Sequence, residues 1–124
     1  NAGFKGTIGE KDLTYLSLAG SQQAAVFEGF FDFLSVLTHY QREQANANVL
    51  VLNSLSLLER GRRHLQVSEI QKLYAYLDHD DGGKAGLVTL GDHKAWEVVN
   101  ASGLYTGHKD ANEFLVQRMH RQQG

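Results

Sequence analysis

No cysteine and no proline occur among the 124 residues, and each absence removes a class of explanation. Without cysteine there are no disulfide staples, no thiolate zinc sites and no cysteine nucleophile. Without proline, the punctuation between elements falls to glycine, of which there are 13. An excess of positive charge is lacking too. The formal net charge of −2 and pI near 6.3 leave out the basic footprint of most nucleic-acid binders, so nucleic acid is not an expected partner. No apolar run approaches the roughly 18 to 20 residues that span a bilayer, so no membrane insertion is expected. A cysteine-free chain of this kind fits the cytoplasm, or the periplasm if a leader once preceded it.

The length suits one domain. Asn1-Ala2-Gly3 reads as the remnant of a cleaved tag, and residues 1–20 as an N-terminal arm. Within that arm GFKGTIG is glycine-rich and loose, while LTYLSLAG, 13–20, fits a short helix through Leu13 and Leu16 better than a strand. Residues 21–124 are expected to form a single helical domain. Ser21 can cap a helix running through QQAAVFEGFFDFLSVLTHYQREQA, whose apolar residues surround most of the axis. NVLVLNSLSLLERG, 48–61, keeps a helical face through Val51, Leu55 and Leu58, with Gly61 as its stop. Ser68-Glu69-Ile70-Gln71 has the form of a capping box, followed by Ile70, Leu73, Tyr74 and Leu77 at helical spacing. A further helix is expected from Thr89, carrying Trp96 and Val99, and a last one from Asp110-Ala111-Asn112-Glu113. The fold class is therefore all-α, a compact bundle of five or six helices. Shifting the sequence by 42 residues aligns Gly61 with Gly103 and Ser68 with Asp110, which would suit two stacked helical hairpins. The tetratricopeptide signature is not matched.

The densest chemistry lies in LDHDDGGKAG, 77–86, which reads foremost as a turn between helices, since Asp and Gly are turn formers. Two metal readings stand beside it, on Asp78, His79 and Asp80. As a calcium loop, Asp78 and Asp80 take positions one and three and Gly83 position six, but Thr89 stands where a bidentate glutamate belongs. The order Leu77, His79, Asp80, glycine, Lys84 also resembles the His-Asp dyad of metal-dependent phosphohydrolases. That resemblance implies a hydrolase with further ligands, for which His64, His39 and Asp110 are available.

Glu28, Asp32, Ser35 and His39 form one polar stripe, read as a solvated helix face that would hold a metal only if other elements supplied matching ligands. Arg60, Arg62, Arg63 and His64 are a basic cluster that could contact phosphate, joined by Arg118, His120 and Arg121. No phosphate-binding loop and no nucleophile elbow are present.

With no complete catalytic constellation, the expected function is a small bacterial helical protein-interaction module of the adaptor, chaperone, immunity or secretion-accessory type. It would bind another protein or a second copy of itself through an apolar surface around Phe27, Phe31 and Tyr76, without a cofactor. The alternatives are a metal-assisted hydrolase or divalent-metal-binding protein using Asp78-His79-Asp80, and an anion or nucleic-acid contact through Arg60, Arg62 and Arg63.

Overall fold

The computed structural model describes residues 4–10, 13–40, 46–92 and 95–123; the expected tag remnant and residues 41–45 of the expected first long helix lie outside them. Strands β1 (Phe4–Glu10), β2 (Leu13–Leu18) and β3 (Gln23–Phe27) precede helix α1 (Phe30–His39). Then come β4 (Asn48–Val51), a 3-10 turn at Leu55–Leu57, α2 (Leu58–Val67) and β5 (Lys72–Tyr76). The chain ends with α3 (Asp81–Gly91), β6 (Glu97–Asn100), a second 3-10 turn at Ser102–Tyr105, and α4 (Ala111–Gln123).

The fold is α/β, which overturns the all-α bundle and the two stacked hairpins. One six-stranded sheet runs in the order β1-β2-β4-β3-β5-β6. β1, β2 and β4 pair antiparallel, whereas β4, β3, β5 and β6 pair parallel. The expected arm is thus two strands of the sheet.

Each misread segment has a local physical cause. In β4 every residue is buried, because an interior strand covered on both faces is a near-continuous apolar run without the alternation that marks a half-exposed strand. Leu50 and Leu52 point into one core with Ala24, Val26, Leu73 and Ala75, while Val49 and Val51 point into the other with Phe27, Phe33 and Val36. The Ser68 box caps no helix: Ser68 ends α2, Glu69 takes a left-handed φ of 55°, and the chain turns into β5. β5 then buries Leu73 and Ala75 alternately, and the helical spacing of Ile70, Leu73, Tyr74 and Leu77 is incidental. Trp96 is buried as expected, but it lies just before β6, its indole N–H donating to the Leu90 carbonyl at 2.9 Å.

Buried Asn48 fastens the start of the parallel sheet. Its Oδ1 accepts from Leu18 N at 2.8 Å and its Nδ2 donates to the carbonyls of Ser21 and Gln23 at 3.0 and 2.9 Å, satisfying groups that the β2–β3 turn would leave open. Gly61 lets α2 lie against β4, since a Cβ there would stand 2.7 Å from Leu50 Cδ2.

The placement of helices decides where a site can form. α2 and α3 cover one face of the sheet, and α1 and α4 pack together on the other. The connection leaving β3 runs to β4 on one side, and the connection leaving β5 runs to β6 on the opposite side. The neighbouring C-terminal ends of β3 and β5 therefore part, leaving the crevice at a topological switch point where open α/β sheets bind ligands.

Candidate metal centre

Acidic side chains fill that crevice. β3 and β5 pair in register, Phe27 opposite Tyr76, with the two rings stacked at 4.8 Å. The next residues along are Glu28 and, one step further on the other strand, Asp78. The Glu28 carboxylate accepts the backbone N–H of Asp78, so the two acidic groups are held together by the main chain itself. Asp32, in the first turn of α1, is buried and enters from one side. Asp110, which caps α4 by accepting from Glu113 N at 2.8 Å, enters from another.

One oxygen from each of Asp32, Asp78 and Asp110 lies within 4.8 Å of the others, a spacing that a single cation can bridge. Asp80 stands at the rim as the N-cap of α3, its Oδ1 accepting from Gly83 N at 2.7 Å.

The electrostatics match this crowding. Burial, then the charges of Glu28, Asp110 and Asp80, push the Asp78 carboxyl up to about 7, against a smaller opposing effect of Lys109. Burial also pushes Asp32 up to about 6, despite its hydrogen bond from Asn112 N, and raises Glu28. Asp78 Oδ1 is buried and has no hydrogen-bond partner among the described residues. A buried carboxylate oxygen facing other carboxylates lacks the positive charge that would stabilise it, and hard carboxylate donors suit magnesium, manganese or calcium. The donor set fits a divalent metal.

The backbone around the centre is tightly determined. A Cβ on Gly83 would fall 2.0 Å from the Asp78 carbonyl oxygen, so only glycine allows the first turn of α3 to sit against that residue. The Tyr105 hydroxyl donates to the Leu77 carbonyl at 2.7 Å, and His79 N donates to the Lys109 carbonyl at 2.6 Å. These two bonds tie the end of β5 to the segment that carries Asp110.

Of Asp78, His79 and Asp80, only Asp78 belongs to the three-carboxylate group, which Asp110, one of the available further ligands, joins, while His39 and His64 do not. His79 is turned away, with Nδ1 2.6 Å from the His108 carbonyl, and Asp80 caps a helix. The calcium-loop geometry does not apply, because a strand precedes Asp78. The polar stripe is no solvated face. Asp32 Oδ1 accepts from Asn112 N at 3.1 Å, Ser35 Oγ lies 3.3 Å from Asn112 Oδ1, and His39 Nδ1 contacts Arg118, so these three are the face α1 turns to α4, while Glu28 precedes the helix. The carboxylates that meet Asp32 there come from Asp78 and Asp110.

The apolar surface expected around Phe27, Phe31 and Tyr76 is not one surface. Phe27 is only 2 % exposed, Tyr76 is half-buried beneath it, and Phe31 stands apart at 70 %. Arg60, Arg62 and Arg63 lie on α2, across the sheet from α1 and α4, with Arg62 paired to Glu59 at 2.8 Å.

An open α/β sheet carrying clustered carboxylates at its switch point defines a class of metal-binding domain. The sequence profile of the Toprim-like family matches residues 25–115, and the chain belongs to that family. Toprim domains bind divalent metal through acidic residues, and an acidic cluster of Asp32, Asp78 and Asp110 is present here, in line with the divalent-metal alternative. The primase fragment of the bacteriophage T7 primase-helicase protein shares the fold, with a TM-score of 0.63 at 17 % identity over 91 % of this chain. The chain spans 47 % of that fragment's length. No curated protein matches. Family and fold together overturn the helical interaction module as the reading of this chain, and with it the exclusion of nucleic acid.

Proposed function

We propose that this domain carries out divalent-metal-dependent chemistry on the phosphates of nucleic acid. The observation that carries the reading is the meeting of Asp32, Asp78 and Asp110 at the β3–β5 switch point, with Asp78 Oδ1 buried and without a hydrogen-bond partner among the described residues. The family match and the primase-fragment fold agree with it. Net charge misleads here, because five of the 14 acidic residues, Glu28, Asp32, Asp78, Asp80 and Asp110, stand at one site, where a divalent cation would offset part of their charge and give phosphate a positive centre.

Asp78, Asp32 and Asp110 would hold the metal, with Glu28 and Asp80 flanking them. When bound, the ion supplies positive charge that polarises a phosphoryl oxygen and offsets the charge developing during phosphoryl transfer. The residues themselves do two further things. Glu28, whose carboxyl burial raises above its ordinary value and which is not one of the three ligands, stands beside them where general acid–base chemistry needs a proton carrier. The backbone bond from Asp78 to Glu28 fixes their separation without a flexible side chain on the donor side.

The test is a manganese titration followed by electron paramagnetic resonance. Wild-type protein should deplete free manganese, magnesium should compete, and Asp78→Asn should weaken binding by about tenfold or more, at least what the loss of an outer-shell partner costs. Equal binding by wild type and Asp78→Asn would overturn the assignment.

A further inference from the structure

Beside the acidic centre runs a cleft of about 530 Å³ whose walls carry the opposite charge. It is lined by His79, Lys84, Thr106, Gly107, His108 and Lys109. Resting on the reading of the acidic centre given above, we infer that this cleft is the subsite that receives the phosphate next to the one undergoing reaction.

Connectivity supports this first. His79 follows Asp78 and Lys109 precedes Asp110 in the chain, so each wall of the cleft starts one residue, about 3.8 Å of backbone, from a metal-site carboxylate. The two walls are clasped by the His79 N–H bond to the Lys109 carbonyl and by His79 Nδ1 at the His108 carbonyl, both 2.6 Å. The cleft and the acidic centre are therefore parts of one rigid unit.

The donors also point to phosphate. A carbonyl only accepts, so His79 Nδ1 carries the proton in that bond and is spent on the His108 carbonyl; the ring serves as a wall of the cleft, and the phosphate donors are the lysines. The ring is held against Tyr105, centroids 4.9 Å apart. Lys84 and Lys109 are exposed and make no salt bridge among the described residues, so their ammonium groups are available. His108 Nδ1 lies 3.5 Å from Glu113 Oε1, too long and poorly aligned for a hydrogen bond, and this buried nitrogen has no hydrogen-bond partner among the described residues. Lys84 lies in the first turn of α3, where the helix dipole adds positive potential. Phosphates on a strand, or the chain of a nucleotide triphosphate, offer the same repeating anion.

The experiment uses the whole chain and two probes, a fluorescent single-stranded oligodeoxynucleotide and inorganic tripolyphosphate, with Lys84→Gln, Lys109→Gln and the double variant. Binding is measured in EDTA, where the acidic centre can only repel anions, and manganese binding is measured separately. The double variant should lose about tenfold in affinity for at least one probe. For the oligonucleotide, the slope of log affinity against log salt should fall by about 1.4, the amount expected for two lost single-strand phosphate contacts. Loss confined to the oligonucleotide identifies strand phosphates as the ligand, and loss confined to tripolyphosphate identifies a nucleotide's phosphate chain. Wild-type affinity and salt slope for both probes in the double variant would overturn the inference. Lys84 is exposed and apart from the carboxylates, so Lys84→Gln should keep wild-type manganese binding. Absence of manganese binding by wild type would count against the metal centre itself, whatever the cleft does.

Discussion

Asp32 Oδ1 accepts the backbone N–H of Asn112 at 3.1 Å, joining α1 to the first turn of α4 across 80 residues of sequence. Asp110 already caps that helix, so Asp32 is a second carboxylate on one helix N-terminus and at the same time a member of the metal group. The bond orients the Asp32 side chain; the site and the packing of α1 on α4 are thereby one structure.

The metal-free protein should be less stable at neutral than at mildly acidic pH. Unfolded aspartates titrate near 3.9, whereas Asp32 and Asp78 are pushed up to about 6 and about 7 in the fold, chiefly by burial. Between these values the folded state binds more protons, so stability falls as pH rises from about 4 to about 7. His39 works in the opposite sense, because burial and Arg118 lower its pKa. Thermal melts in EDTA should show a lower Tm at pH 7.5 than at pH 5, and Asp32→Asn with Asp78→Asn should flatten the difference. A Tm that rises over this window in wild type would contradict the assignment.

Magnesium should reverse that loss. A ligand at a hundred times its Kd stabilises by about 2.7 kcal/mol. For a domain of this size the corresponding rise in Tm at pH 7.5 is on the order of 10 °C. The rise should disappear in Asp78→Asn, and its persistence there would place the metal elsewhere.

Gly83→Ala should damage both fold and site. The added methyl would overlap the Asp78 carbonyl oxygen at 2.0 Å, which backbone must yield to relieve. Overpacking of this kind costs roughly 1–3 kcal/mol or more. Urea denaturation should show that loss, with weaker manganese binding alongside. Wild-type stability would show that α3 can move off Asp78 at no cost.

Tyr105→Phe removes the donor to the Leu77 carbonyl and should cost about 1–3 kcal/mol, since that buried acceptor loses its partner. A neutral result in urea denaturation would mean that the Leu77 carbonyl finds another donor.

The two phenylalanines expected to form one surface should behave differently. Phe27→Ala should cost about 3–5 kcal/mol, because the ring is buried between Phe33 and Tyr76. Phe31→Ser should stay within about 0.5 kcal/mol in the same melts. Equal losses would contradict the separation of core from surface.

What the sequence discloses and conceals follows from the range of each interaction. The Asp110 cap of α4 is local, and it is legible as Asp-x-x-Glu. The aspartates of DHDDGG are visible as a cluster, but their role is not, because it depends on Asp32 and Asp110, which lie far away in sequence. Glu28 and Asp32 pass for one face of a long helix because the strand QAAVF and the helix FFDFLSVLTH abut with only Glu28 and Gly29 between them, and no proline marks the junction. The signal that could have found the site is the pair of apolar runs AAVFEG and YAYLDHD. Each ends abruptly in an acid, as strands do when their C-terminal ends line a ligand crevice. The pairing of β3 with β5 brings those ends together, and no local pattern encodes a pairing.

The central claim is tested most directly by locating manganese in crystals through its anomalous scattering. The account predicts a peak bounded by Asp32, Asp78 and Asp110, with Asp78 Oδ1 among the ligands, and no such peak in Asp78→Asn. A peak seated elsewhere, or no peak at saturating manganese, would contradict it.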